Sequence, residues 1–311
     1  MPLHVVLGNG PVGRTLTGRL VDQGHQVRVL SRSGGNSTAT VEQMAVEACD
    51  PDALSPAVEG AAVLYHCAEP GYHDVVGRWP PLAAAVLTAA ERAGAVLVSL
   101  SDLSGYGPVD GPLTEKTPLA ATGTKGRLRA QLWEQALARH ATGAVRVVEA
   151  RASTTVGPEL TDGGHLGSRV VPRLLAGKEV KVIGSPKAPH SWTAIGDIAA
   201  TLAVLGSDER AYGQAWHVPT APPVSQREAI VAMCRAAGRK PVRVGTVPHL
   251  ALRVAARFSP LVRELEETRY QFARPFVLDS TAVTGMFGLA ATPLEQTWEQ
   301  TVAWWQAAAA E

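Results

Sequence analysis

The chain has 311 residues, with 29 Lys and Arg against 28 Asp and Glu, 46% hydrophobic residues and 18% charged ones. A net charge of +1 leaves no excess field to hold a phosphate backbone or an anionic bilayer, so neither nucleic acid nor membrane is an expected partner. The hydrophobic content argues against disorder, and the length suits one large α/β core with a smaller lobe.

No stretch reaches the roughly 18 uncharged apolar residues that a membrane span needs. A β-like run opens at His4 without a basic leader, and a cytoplasmic protein is expected. Cys49, Cys67 and Cys234 share no C-x-x-C spacing and read as buried small hydrophobes, so neither a disulfide framework nor a metal is expected.

The first half alternates short apolar runs with helical patterns, the rhythm of a doubly wound parallel α/β sheet. Strands are predicted at His4–Leu7, Gln26–Leu30, Met44–Ala48, Ala62–His66, Ala95–Leu100 and Val145–Ala150. Helices are predicted at Val12–Gln23, Pro80–Ala93 and Lys125–His140, with Gly24, Gly94 and Gly143 as stops. After Gly157-Pro158 the alternation ends. Helices are expected at Val170–Gly177, Ile195–Leu205, Gln226–Ala237 and Pro293–Ala309, the last with Thr292 as N-cap, and short strands at Val180–Ile183, Ala215–Val218 and Pro241–Val244.

Gly8-Asn9-Gly10-Pro11-Val12-Gly13 joins the first strand to the first helix. There Gly8 can make the tight turn, Gly10 can admit a pyrophosphate to the backbone, and Gly13 can let helix pack on strand, with the helix N-terminus facing the phosphates. The alternative is a glycine-rich turn with no ligand. Residues 1–160 then form a dinucleotide-binding Rossmann domain, to which 193–218 return, and 161–192 with 219–311 form a substrate lobe. The second strand ends in Ser31-Arg32-Ser33 with no acid for a ribose 2′-hydroxyl. Together with Arg14 this favours NADP(H), with NAD(H) as the other choice, unless Arg32 is simply solvated. Asp50 could reach the adenine amino group or cap the following helix.

Further motifs follow in order: Tyr65-His66-Cys67-Ala68, Ser101 through Tyr106-Gly107, Thr114-Glu115-Lys116-Thr117-Pro118, Arg151-Ala152-Ser153 to Gly157-Pro158, His190-Ser191-Trp192-Thr193 with Asp197, and Phe276-Val277-Leu278-Asp279 with Phe287-Gly288-Leu289. Together they resemble the extended short-chain dehydrogenase/reductases, the NAD-dependent epimerases and dehydratases, over nearly the whole chain. The resemblance implies that Cys67, Ala68, Ala152 and Ser153 lie along the cofactor and that Lys125 holds the nicotinamide ribose. It also implies a homodimer through the Pro80–Ala93 and Lys125–His140 helices. The family's Tyr-x-x-x-Lys pair is incomplete, because Ala121 stands four residues before Lys125.

Asp102 falls at the Ser/Thr position of that family, flanked by Ser101 and Ser104. Apolar walls raising its pKa toward neutrality would let it exchange a proton with substrate; the other reading is a cap of the next turn. Tyr72 or His73 could reach over the nicotinamide from the loop after the fourth strand. His66, Glu69, His73 and Asp74 lack the helical spacing of two-ligand metal motifs. Tyr106, structural in most of the family, His165, Trp192 and Tyr270 are candidate substrate contacts, with His190 a further one. Trp192, Trp216, Tyr270, Phe272 and Phe276 suggest an apolar, ring-bearing substrate, although core packing also explains such residues.

The resulting expectation is an NAD(P)(H)-dependent oxidoreductase acting on a hydrophobic carbonyl, alcohol or quinone, extending to natural-product tailoring with net hydroxylation. A catalytically silent NAD(P)-binding regulator or scaffold is the alternative, and a nucleotide-sugar epimerase or dehydratase a further one.

Overall fold

The computed structural model describes residues 2–70, 75–161 and 164–310. Strands β1 (Leu3–Leu7), β2 (Gln26–Ser31), β3 (Val41–Ala45), β4 (Ala61–His66), β5 (Val96–Asp102) and β6 (Arg146–Ala152) join Ala215–His217 in one seven-stranded sheet. Every pairing in it is parallel, and the order runs Ala215–His217, β6, β5, β4, β1, β2, β3. The order reverses between β1 and β4, which opens a crevice at the carboxyl ends of these strands.

The near-continuous apolar strands follow from burial on both faces. Val6, Val63 and Tyr65 pack with Leu16 and Leu20 of α1 (Pro11–Asp22) and with Ile198 and Leu202 of the helix Ile195–Ser207. Val5, Leu7 and Leu64 point the other way. They meet Leu54 of α2 (Pro51–Val58), Trp79 and Val86 of α3 (Val75–Ala93), and Trp133 of α4 (Thr124–Ala141). The period of two along each strand thus splits one sequence run between two cores.

Four expected elements differ. The third strand is Val41–Ala45 rather than Met44–Ala48, because β2 pairs with it residue by residue from Val27↔Val41 to Ser31↔Ala45. The residues after it lead to α2, which the sequence marks only by Asp50 as a possible cap and which starts on that residue with Pro51 in its first turn. The strand expected at Pro241–Val244 is Val244–Thr246, paired with Val180–Val182, since a proline has no N–H for a ladder. Thr292 does not cap the last helix, Leu294–Ala308; its N–H and Oγ1 both donate to Asp197, at 2.8 and 2.6 Å.

The lobe beyond Gly157 has its own core, in which Val171, Leu174, Ile230, Met233, Trp192 and Trp298 meet. From this lobe a helical hairpin, His249–Ala255 and Pro260–Glu267, followed by the turn Tyr270–Ala273, brings Leu265, Thr268 and Gln271 to the crevice.

Candidate functional site

The crevice is a cleft of about 750 Å3. Its floor is the Gly10–Gly13 turn with Cys67, Ser101, Asp102, Ala152 and Ser153 at strand ends, and its far wall is His165, Leu265, Phe272 and Phe276. Each glycine of the turn fits the dinucleotide expectation for a different reason. Gly8, at φ +114°, sits so close to the next strand that a Cβ would stand 2.8 Å from the Ala68 nitrogen. A Cβ on Gly13 would overlap the Gly8 carbonyl, whereas one on Gly10 meets no atom within 4 Å. The turn is therefore closed where helix meets strand and open where a phosphate would approach. Helix α1 has no side-chain cap at Gly10, which leaves its first N–H groups facing the cleft. Ser153 adds a buried hydroxyl without a partner among the described residues on the cleft floor. These features fit a bound nicotinamide dinucleotide.

At the phosphate end, Arg14 and Asp50 both have protein partners, and Asp50 takes the capping role of its two readings. Arg14 donates to the Asn9 carbonyl at 2.7 Å and is ion-paired with Glu159, a residue the sequence reading missed. Glu159 lies just past Gly157-Pro158 with φ +63°, which aims its carboxylate back across the turn. Asp50 accepts from the Asp52 N–H at 2.9 Å and caps α2. Ser31 bonds the Gly34 carbonyl at 3.3 Å, and Arg32 and Ser33 are exposed at the end of β2. Any preference for a 2′-phosphate would have to rest on Arg32. Arg32→Ala is expected to raise the KM for NADPH about tenfold while leaving that for NADH within twofold, which steady-state kinetics with both cofactors would measure.

At the other end, Asp102 closes β5 beside Lys125 on α4, with Oδ2 3.3 Å from Nζ. One turn further along α4, Arg129 approaches the same oxygen at 3.7 Å and is ion-paired with Glu69, while its guanidinium lies 4.1 Å from the Trp79 ring centroid. Ser104 donates to Asp102 Oδ1 from its N–H, at 2.8 Å, and from its hydroxyl. Burial alone would push the Asp102 carboxyl up, but Lys125, Arg129 and the two Ser104 bonds outweigh it and hold the group well below the usual carboxylate range. The expectation of an Asp102 poised near neutrality is therefore reversed. Both readings of this residue merge, since it caps the Ser104 turn and, ionised, anchors Lys125. Ser104 orients Asp102 and does not line the cleft. Arg129 was detectable in the sequence as the i+4 neighbour of Lys125.

Helix α4 starts at Gly123 without a side-chain cap of its own. Its Lys125 N–H donates at 2.8 Å to Glu267, which arrives from the hairpin. Ala121 takes the space beside the helix start, against Gly107 and Gly126, so no phenol stands four residues before Lys125.

The substrate candidates separate sharply. His165 lines the cleft, stacked on Phe272 with ring centroids 3.7 Å apart. Its Nε2 bonds Gln226 at 2.8 Å, and burial lowers its pKa to about 4, so the ring is neutral at pH 7. Tyr106 is a correction: it is buried behind the strand end, where its hydroxyl takes a 2.7 Å bond from Arg151 and makes another to His217 Nε2. Trp192 is also buried, donating to the Val224 carbonyl at 2.9 Å within the lobe core, and does not line the cleft. Tyr270 lies behind Phe276, edge to face at 6.0 Å, and is not a lining residue. Trp216 is in the sheet core. His190 is buried and bonded to Thr154 and the Gln271 carbonyl. Tyr72, His73 and Asp74 lie outside the described residues. Large core aromatics and cleft aromatics carry the same signature in sequence, and only Phe272 and Phe276 of the five reach the cavity.

Sheet order and cradle define a Rossmann-type dinucleotide-binding α/β protein. The chain belongs to the NAD-dependent epimerase/dehydratase family, whose model matches residues 5–217. Its fold is similar to that of UDP-glucuronic acid 4-epimerase from Bacillus cereus in complex with NAD (TM-score 0.81, 15% identity, 98% of this chain and 99% of that one). It is also similar to dTDP-glucose 4,6-dehydratase from Bacillus anthracis in complex with NAD (0.80, 16%, 99% and 97%). A third similar structure is the DesIV double mutant, a dTDP-glucose 4,6-dehydratase from Streptomyces venezuelae with NAD bound (0.80, 19%, 98% and 97%). No curated protein matches the chain by sequence. No helix among the described residues is long and apolar enough to cross a membrane.

Proposed function

We propose that the protein is an NAD(P)(H)-dependent oxidoreductase, NADP(H)-preferring through Arg32, that acts on an apolar, ring-bearing carbonyl or quinone. The observation that carries this reading is the ionised Asp102–Lys125 pair with Ala121 in place of a phenol. The described residues at this point supply no neutral acid, which suits a substrate whose reduced oxygen is a weak base and needs little proton help, as a quinone's does. The far wall of His165, Leu265, Phe272 and Phe276 suits a flat apolar ring.

When bound, the nicotinamide would supply hydride exchange with the substrate. The first N–H groups of α1 and Ser153 would hold and orient the dinucleotide, and Arg32 would meet a 2′-phosphate. Lys125, anchored by Asp102, would donate hydrogen bonds to the ribose and stabilise negative charge on the substrate oxygen, with the proton coming from solvent.

The second reading, a nucleotide-sugar epimerase or dehydratase, is favoured by what the similar structures are. A panel separates the readings. Oxidation of NADPH by quinones or polycyclic aromatic ketones is the expected result. Interconversion of dTDP-glucose or UDP-glucuronic acid would establish the second reading instead, and saturable NADPH binding with no turnover in either assay would point to a regulatory dinucleotide-binding protein.

A further inference from the structure

We propose that the helical hairpin from His249 to Glu267 is a docking surface for an anionic lipid bilayer. Leu250, Val254 and Phe258 are 72%, 51% and 84% exposed, unlike the large apolar residues of the folded cores. They are spaced four apart on a segment whose helical bonds run past Ala255, with Ala256 N–H on Leu252 O at 2.8 Å and Ser259 N–H on Ala255 O at 3.1 Å. That spacing lays them along one face. Leu252, on the opposite side, is buried and anchors the helix to the lobe beside Val247 and Arg269. The apolar stripe therefore points away from the protein.

The charges on the helix that bears the stripe are of one sign, while on the second helix Glu266 is bonded to His249 and Glu267 turns inward to the Lys125 N–H. Between Glu228 and Glu264 the sequence holds seven Arg and Lys and no Asp or Glu, although the whole chain has a net charge of only +1. Arg253 and Arg257 lie on the same short helix and its continuation, exposed beside the stripe. The remainder of the chain is therefore net negative, and a whole-chain average conceals a local cationic segment. That average is what made a membrane an unexpected partner.

Three features select lipid over the other occupants of such a face. Three side chains on about ten residues are far short of the roughly 800 Å2 per partner that a stable protein interface buries. A symmetric contact between two copies would set the same arginines against each other. A short apolar stripe flanked by arginines matches what an interfacial helix needs, with shallow insertion for the apolar residues and anionic headgroups for the cations.

The test is sedimentation of the full-length protein with vesicles of pure phosphatidylcholine and of phosphatidylcholine with 40% phosphatidylglycerol, alongside light scattering without lipid. Wild type is expected to bind the anionic vesicles at least about tenfold more tightly and to be released by 0.5 M salt. Arg253→Gln with Arg257→Gln is expected to weaken that binding about 30-fold, from roughly fivefold per arginine. Leu250→Ser, Val254→Ser and Phe258→Ser together are expected to weaken binding to both vesicle types. These positions are exposed, so unchanged thermal melting would confirm intact folding, and the arginine variant gives an independent reading if the triple variant melts early. Equal binding by wild type and both variants, or no binding to anionic vesicles, would overturn the proposal. A wild-type dimer lost in the triple variant would also overturn it, assigning the stripe to a second copy.

Discussion

Gly13→Ala is expected to lower the melting temperature by about 6 °C or more and to weaken dinucleotide binding at least about 100-fold. The added methyl would overlap the carbonyl oxygen of Gly8, which is backbone and cannot swing aside as a side chain would. Relief requires α1 to move off β1, and overpacking of this kind costs about 3 kcal/mol, or about 2 °C per kcal/mol in a chain of this size. The same movement would turn the first N–H groups of the helix away from the phosphate position. Gly10→Ala is the informative control. Its φ of −77° suits any residue and a methyl there meets nothing within 4 Å, so the melting temperature should stay within about 1 °C. Binding should still fall about tenfold or more, because the methyl occupies the path of the pyrophosphate. Calorimetric melting with fluorescence titration of NADPH measures both quantities, and wild-type affinity in Gly10→Ala would remove this turn from the cofactor site.

The second large effect is expected from Lys125→Met, which should lower kcat on the best quinone or ketone about 100-fold or more. Methionine keeps much of the side-chain volume against Trp79 but loses the charge that faces both Asp102 and the cleft. Lys125→Arg is not expected to restore the rate, since the longer, planar guanidinium can pair with Asp102 but does not place a compact charge where the ammonium stands. The pH dependence gives a separate check. The Asp102 carboxyl is depressed in the fold, so its pairing contributes stability that is present above the ordinary carboxylate pKa of about 3.9 and is lost as pH falls below it. Wild type should therefore exceed Lys125→Met in stability at pH 7, with the gap narrowing below about pH 4. Denaturant titrations at several pH values would show this, and equal stability of the two proteins at pH 7 would refute the pairing.

The sheet was legible because its strands are buried on both faces and announce themselves as apolar runs between glycine stops. The third strand was placed three residues late because Val41–Ala45 is an edge strand with Glu42 and Gln43 in it, and edge strands lack the apolar signature. The Gly8–Gly13 turn was equally readable, since its chemistry is backbone chemistry and lies within six residues. The charged end of the site was not. Asp102 and Lys125 could be named, but the sign of the carboxyl's shift depended on Arg129 and Ser104 converging on it. The pairing of Arg14 is hidden for the same reason, because its partner Glu159 is 145 residues away in sequence. Pairings over such separations leave no local pattern.

The bond from Glu267 to the Lys125 N–H sets a schedule for the newborn chain. During synthesis the helix bearing Lys125 emerges with a glycine at its start and only water to satisfy its first amides. Its missing carboxylate is made 142 residues later, when the sheet of the first half has long been available to fold. This end of the cleft is thus complete only once residue 267 has been made, and a chain cut short before Glu267 would carry a dinucleotide cradle beside a helix start without its partner carboxylate.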